Sequence, residues 1–528
     1  MNNKSKLLLI VLTLTLLITA CANKEEDKNI EKNNLAEKEV LLEDENKTVD
    51  VLNFAGGDWG YPNPYAHYSR GPGSYKMKLV FDSLLERGPN GMIPWLAKEY
   101  SISEDGLEYI FTLNDEVYWH DNEKLTVDDI IFTINYYKEH PPVSNDLSLS
   151  ADNDYIVDLE KIDENTLKIV VDKKDATLLE KFGSFRILPK HIWENVDDPD
   201  SFISEESVIG CGPYILTDYN KEQGAYKFKA FDKYYKNILV NEINFVPTSD
   251  ELLSFESGEI DLTDVTLDLT KQYEDNDEIK VVENPAFWGY KLMFNMEKNE
   301  EFKDINLRKA IAYAINQDEL IEKVGRGAGK KASAGYLPLQ HSYYNENVKK
   351  YEYNIEKAKE LLDGNTYEFE LLIGNSNPEV RIAEIIKLNL EEIGINLNVK
   401  SIDSKSRDAA IKSREYDIVL NGHGGWGNDP DILTSQYSTI GKKQANIPGY
   451  ENDEINRLCK EQKEEINPEK RKEIIYNLQE VISEEVPMLP LYNTVDYSIY
   501  RPKKYDGYKH VFNHHSLTHN KISFVDME

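Results

Sequence analysis

Ile382-Ala383-Glu384-Ile385-Ile386-Lys387-Leu388-Asn389-Leu390-Glu391-Glu392-Ile393-Gly394-Ile395-Asn396-Leu397-Asn398-Val399 changes its period partway along. Before Gly394, the apolar residues Ile382, Ile386, Leu390 and Ile393 fall on one face of a helix. After it, Ile395, Leu397 and Val399 alternate as in a strand. A helix stopped by glycine therefore feeds directly into a strand. Residues 355–362, Gly364 and residues 367–373 repeat the arrangement. Upstream, Leu307, Ile311, Ala314 and Ile315 share a helical face, in a helix expected to end at Gly325. Helices alternating with strands predict an α/β lobe whose sheet is covered on both faces.

The N-terminal half carries weaker signals of the same kind. Residues 49–54 alternate as a half-buried strand and lead into a loop, 56–74, rich in glycine, proline and aromatics. Met77, Val80, Phe81 and Leu84 give helical spacing to residues 75–86, and residues 108–113 alternate as a strand. Thr126 with Asp129 three residues on reads as the start of a helix. No internal repeat is evident. From residue 48 onward the chain is too long for a single core and calls for two lobes or more.

The first twenty residues have the pattern of an export signal, with Lys4 and Lys6 ahead of an apolar run at 7–18. That run is shorter than the roughly 20 residues that span a bilayer. It ends in Ile18-Thr19-Ala20-Cys21, which resembles a bacterial lipobox, so Cys21 is the expected lipidation site. Residues 21–47 are dense in Glu, Lys, Asn and Asp, too polar to bury a core, and read as a flexible tether reaching about 30 Å. Cleavage after residue 20 removes two of the 61 basic residues and none of the 95 acidic ones, leaving −36. Such an excess excludes nucleic acid as a partner. Cys211 and Cys459 show no metal-knuckle or disulfide spacing.

Pro94-Trp95-Leu96-Ala97, Asp105-Gly106 with residues 107–113, Trp119-His120-Asp121, Leu125-Thr126-Val127-Asp128-Asp129-Ile130 and Leu188-Pro189-Lys190-His191-Ile192-Trp193 form an ordered series. It continues through Gly210-Cys211-Gly212-Pro213-Tyr214, Ser257-Gly258-Glu259-Ile260-Asp261, Leu307-Arg308-Lys309-Ala310, Glu392-Ile393-Gly394, Tyr416-Asp417-Ile418 and Pro487-Met488-Leu489-Pro490-Leu491-Tyr492. On these segments the chain resembles solute-binding protein family 5, the large peptide, nickel-chelate and related binders of ABC importers. The resemblance implies a two-lobed, periplasmic-binding-protein-like α/β fold of class II, cluster C type, with an extra subdomain at about 80–200. Lobe I is then expected at 48–285, lobe II at 286–486, and a return to lobe I at 487–528. The two crossings are expected near 285–290 and 487–492, where proline and aromatics suit a hinge.

The same resemblance implies a binder without catalysis or cofactor. It would be a monomer, held to the outer face of the cytoplasmic membrane by lipid on Cys21, that hands a peptide-like solute to ABC permease subunits. A nickel or metallophore chelate is the alternative ligand, and a secreted hydrolase the alternative class. His120-Asp121 and His191 lack any accompanying nucleophile or metalloprotease motif and read as structural.

A cleft between lobes needs aromatic walls and a few polar anchors. From the first lobe the expected ligand-binding residues are Trp59, Tyr61, Tyr68 and Arg70; from the second they are Trp288, Tyr290, His423, Trp426 and Asp429. Asp429-Pro430 also has the form of a helix start. The glycines at 422, 424, 425 and 427 are expected to let backbone run close to a ligand. Two departures from the family pattern are Asn122 and Cys211. A third concerns the ligand: where peptide-binding members present an aspartate to the amino terminus, this chain has Trp426. Blocked, cyclic or non-peptide ligands are therefore expected to bind at least as well as free-amine dipeptides. His510, His514, His515 and His519 cluster in the tail, and their i, i+4 spacing suits metal only if that segment is helical.

Overall fold

The computed structural model describes residues 48–68, 72–150, 153–424, 429–440, 446–514 and 516–527. The signal segment 1–20, Cys21 and the tether 21–47 lie outside the described residues, as do Arg70, Trp426 and His515.

Lobe I is organised by a four-stranded sheet in the order Val49–Ala55, Val240–Val246, Ala225–Ala230, Tyr214–Asn220. Its first pair is parallel and the others antiparallel. A second four-stranded sheet, wholly antiparallel, uses Ala97–Ile102, Glu108–Leu113, Thr166–Val171 and Ile156–Lys161. Leu52 and Phe54 of the first sheet belong to the same buried cluster as Tyr109, Phe111 and Leu167 of the second. The second sheet, within the expected extra subdomain at about 80–200, thus packs into the same buried cluster as the first.

Lobe II is a six-stranded mixed sheet ordered Gly329–Lys331, Met488–Thr494, Trp288–Phe294, Ile418–Gly424, Tyr367–Gly374, Ile395–Ile402. Tyr367–Gly374 and Ile395–Ile402 pair in parallel with the helix Asn377–Glu391 between them. Gly394 takes φ of +88°, the left-handed conformation that lets the helix turn into the strand. Ile382, Ile386 and Leu390 are fully buried against the sheet, as their spacing requires.

Three expectations need correction. The helix expected over 75–86 runs Pro72–Val80. Its continuation is prevented because the Val80 carbonyl accepts the Gly212 N–H at 2.8 Å and the Asp82 carbonyl accepts that of Ile187 at 3.1 Å. A Cβ at Gly210 would stand 2.0 Å from the Val80 oxygen, which gives the Gly210-Cys211-Gly212 segment its physical reason. Second, the helix at 305–314 does not reach Gly325. Asn316 accepts the Glu319 N–H at 3.1 Å and starts a separate helix, Gln317–Lys323.

The third correction concerns the second crossing. Residues 488–493 are buried strand in the lobe II sheet, with Pro490 at a register shift opposite Tyr290 and Lys291. The chain leaves lobe II only at 495–496, and Tyr497–Tyr500 then becomes the centre of a three-stranded sheet with Leu262–Val265 and Lys280–Glu283. The two crossings lie side by side. Asn284 N–H donates to the Asp496 carbonyl at 2.8 Å, and the Asn493 side chain donates to the Ala286 carbonyl at 3.0 Å. A Cβ at Gly289 would meet the Tyr492 oxygen at 2.4 Å, so glycine permits the close pairing.

The C-terminal tail is anchored in lobe I by a buried charge network. Lys521 Nζ bonds Asp82 and lies 2.9 Å from Glu86, which also pairs with Arg186 at 3.1 Å. Asp82 further accepts from Trp95, Tyr234 and Tyr235 at 2.9–3.1 Å. Every charge here has an opposite partner, the condition under which buried ions are tolerated.

Candidate functional site

The site grows from the end of the strand Val49–Ala55. The loop after it folds onto the helix Pro72–Val80, close enough that a Cβ at Gly73 would stand 2.6 Å from the Trp59 carbonyl oxygen and 2.7 Å from that of Tyr68. Gly73, Lys76, Met77 and Val80 form the inward stripe of this helix. Lys76 is therefore carried into the protein at a position its neighbours use for packing, and only 2% of it is exposed. Its Nζ lies 3.9 Å from the centre of the Phe245 ring and 5.1 Å from that of Tyr226. Among the described residues it has neither hydrogen bond nor ion pair, and burial pushes its pKa down to about 7.

Lys76 lines a cavity of about 290 Å³. Phe54, Trp59, Tyr75 and Phe245 give it aromatic walls, the strand 262–264 and the crossing residue Asp496 close one side, and Ser516, Thr518 and His519 of the tail close another. Carboxylates of Glu251, Asp264 and Asp496 also line it. Asp264 accepts from Ser498 Oγ at 2.6 Å. The cavity belongs to lobe I and adjoins the hinge through Asp496.

From lobe II, Trp288 follows the first crossing and is 39% exposed. It packs edge-on against Tyr290 with ring centres 4.7 Å apart. A Cβ on Gly422 or Gly424, its neighbours across the strand pair, would stand 2.6 Å from the indole. These two glycines leave the space that the indole of Trp288 occupies. The lobes meet at several points away from the hinge. Ala176 N–H donates to the Lys463 carbonyl at 2.7 Å, Lys463 Nζ lies between Asp175 at 3.8 Å and Asp431 at 3.4 Å, and His341 Nε2 lies 3.2 Å from Asn513 Nδ2.

The expected site residues are scattered by this geometry. Trp59 is in the cavity wall. Tyr68 is 49% exposed nearby, its hydroxyl 3.4 Å from Asp58. Tyr61 turns away: its hydroxyl bonds the Ser204 carbonyl at 3.2 Å, and the ring lines a separate groove with His120, Asp121 and Glu205. Tyr290 and His423 are buried in lobe II, His423 stacked on Tyr336 at 5.3 Å. Asp429 is held by Arg471 through two bonds of 2.6 Å, and its Oδ1 also accepts the Asp431 N–H at 2.8 Å just ahead of the helix Ile432–Tyr437, so its carboxylate is engaged within lobe II.

In the tail, His510 bonds Asn284 at 2.8 Å, and His514 and His519 pack on Tyr75. Among the described residues the segment around them is not helical, and no metal-holding group of three or more His, Cys, Asp or Glu occurs there. Lys76 was not anticipated from the sequence. The available signal was a lysine on the apolar stripe of a predicted helix.

Two α/β lobes joined by a paired double crossing, with an aromatic-walled cavity beside that hinge, define a two-lobed solute-binding protein. The chain belongs to the bacterial extracellular solute-binding proteins, family 5, whose model of the middle region matches residues 91–444. Among its relatives, heme-binding protein A of Haemophilus influenzae is 27% identical over 465 residues, 80% of this chain and 83% of that protein. Di/tripeptide-binding protein 1 of Pseudomonas aeruginosa is 26% identical over 476 residues, 81% and 86% of the two chains. The crystal structure of the ABC transporter substrate-binding protein CtaP of Listeria monocytogenes superposes with a TM-score of 0.74, covering 87% of this chain and 94% of that one at 24% identity. Binding of extracellular solutes is thus the function of this family. Among the described residues no helix is long and apolar enough to cross a membrane.

Proposed function

We propose that this chain captures oligopeptide-like solutes between its lobes, at the outer face of the cytoplasmic membrane, and presents the closed form to ABC permease subunits. Lipid on Cys21 anchors it there and residues 21–47 tether it. It acts as a monomer and performs no chemistry on its cargo. The observation that carries the reading is the aromatic-walled cavity beside the double crossing, in a molecule whose lobes touch through Ala176, Lys463 and His341. A solute that contacts both lobes only when they meet shifts the population toward the closed form by its differential affinity. The peptide-binding relative favours a peptide over a sugar.

A thermal-shift screen of peptide pools, nickel–histidine chelates, heme and sugars tests the cargo. Peptides should raise the melting temperature; stabilisation by chelates or heme alone would replace the peptide with a metal complex. Incorporation of a palmitate analogue into the wild type and its loss in Cys21→Ser tests the anchor, and equal labelling of both would remove it.

A further inference from the structure

The capture reading leaves Lys76 unexplained. An ammonium group removed from water without a carboxylate partner is strongly unfavourable. Lys76 nevertheless occupies the buried stripe of its helix, where an apolar residue would pack at no such cost. The faces of Phe245 and Tyr226 attract a cation but accept no conventional hydrogen bond from it. Three N–H donors are left without acceptors among the described residues, at the wall of an open space. That space, about 290 Å³, lies at the lower end of small-molecule site volumes, which suits one amino-acid-sized group and not a whole oligopeptide.

We propose that Lys76 anchors a carboxylate of the captured solute, which enters this cavity acid end first and supplies the acceptors the lysine lacks. The proposal rests on the peptide-like reading above and gives it a polarity. The carboxylates of Glu251, Asp264 and Asp496 share the lining, so a simple anion meets repulsion as well as attraction. The solute class is therefore one with a free carboxyl end, an amino acid or the C-terminal end of a peptide, held by its carboxyl group.

The test is calorimetric titration of the full-length protein with a pool of free-acid tripeptides and with the same pool as C-terminal amides. The wild type should bind the acids at least tenfold more tightly than the amides. Lys76→Met should lose at least tenfold in affinity for the acids while its affinity for the amides stays within twofold of the wild type. Equal affinity of the wild type for acids and amides overturns the anchor and leaves peptide capture intact; binding of neither pool overturns both. If Lys76→Met fails to fold, Lys76→Gln replaces it, and retention of the wild-type acid-to-amide ratio by a folded variant overturns the anchor.

Discussion

Replacing Lys76 by methionine should stabilise the empty protein at neutral pH, and the gain should vanish in alkali. Lysine in an unfolded chain has a pKa near 10.5, whereas burial brings Lys76 down to about 7. Between these values the unfolded state binds more protons than the folded one, so stability rises with pH across that window. At ~1.4 kcal/mol for each tenfold change in proton affinity, keeping Lys76 in the folded protein costs about 4 kcal/mol at pH 7 and under about 1 kcal/mol at pH 10. The ring faces of Phe245 and Tyr226 offset about 1–2 kcal/mol of this while the group is charged. Lys76→Met, which keeps the length of the side chain and removes the charge, should therefore gain about 2–3 kcal/mol at pH 7 and close to nothing at pH 10. Urea unfolding followed by tryptophan fluorescence at the two pH values measures both differences. A variant no more stable than the wild type at pH 7, or a gain of the same size at pH 10, would show that Lys76 has a counter-charge or reaches water, and the reasoning would fail.

Lys521→Met should have the opposite sign, because it strands the carboxylates of Asp82 and Glu86; a loss of about 3–5 kcal/mol in the same unfolding assay is expected, and a neutral result would mean that water enters the network. Burial lowers the pKa of His341 to about 4, so this residue contributes stability that is complete above the ordinary histidine value of 6.5 and is lost as pH falls toward 4. His341→Gln should flatten that part of the stability–pH curve, and an unchanged slope would assign the acid sensitivity elsewhere. Acetylating the amino end of a bound peptide should leave its affinity within about threefold, as matched titrations of acetylated and free peptides would reveal; a large loss would expose an amine clamp.

The fold was legible wherever one element makes its own pattern. The period change across Gly394 gives a helix and the strand after it without reference to anything distant, and the structure has both, with Gly394 left-handed. The ordered family segments carried the two-lobed architecture for the same reason, since each is a local run of residue types. Boundaries failed where a remote segment takes over a backbone group. The helix at 72–80 stops because Gly212 claims the Val80 carbonyl, and the second crossing comes late because Trp288–Phe294 claims residues 488–494 as sheet.

The candidate site was less legible still. Asp429 does accept the N–H two residues on, as a local reading allows, but its two bonds to Arg471, 42 residues further along, have no local signal. Gly422 and Gly424 read as room for a ligand, yet the room is filled by Trp288, more than a hundred residues earlier in the chain. Lys76 is a clearer case. Its place on an apolar stripe is written in the local spacing, but its isolation depends on which side chains arrive around it from residues 226 and 245. What the sequence alone determined is the set of elements, their order and the family architecture, because helical and strand periods are properties of neighbouring residues. Which charges are paired and which is left bare toward a cavity was decided only by the tertiary structure, because Coulombic partners and solvent exclusion depend on distance in space and not on distance along the chain.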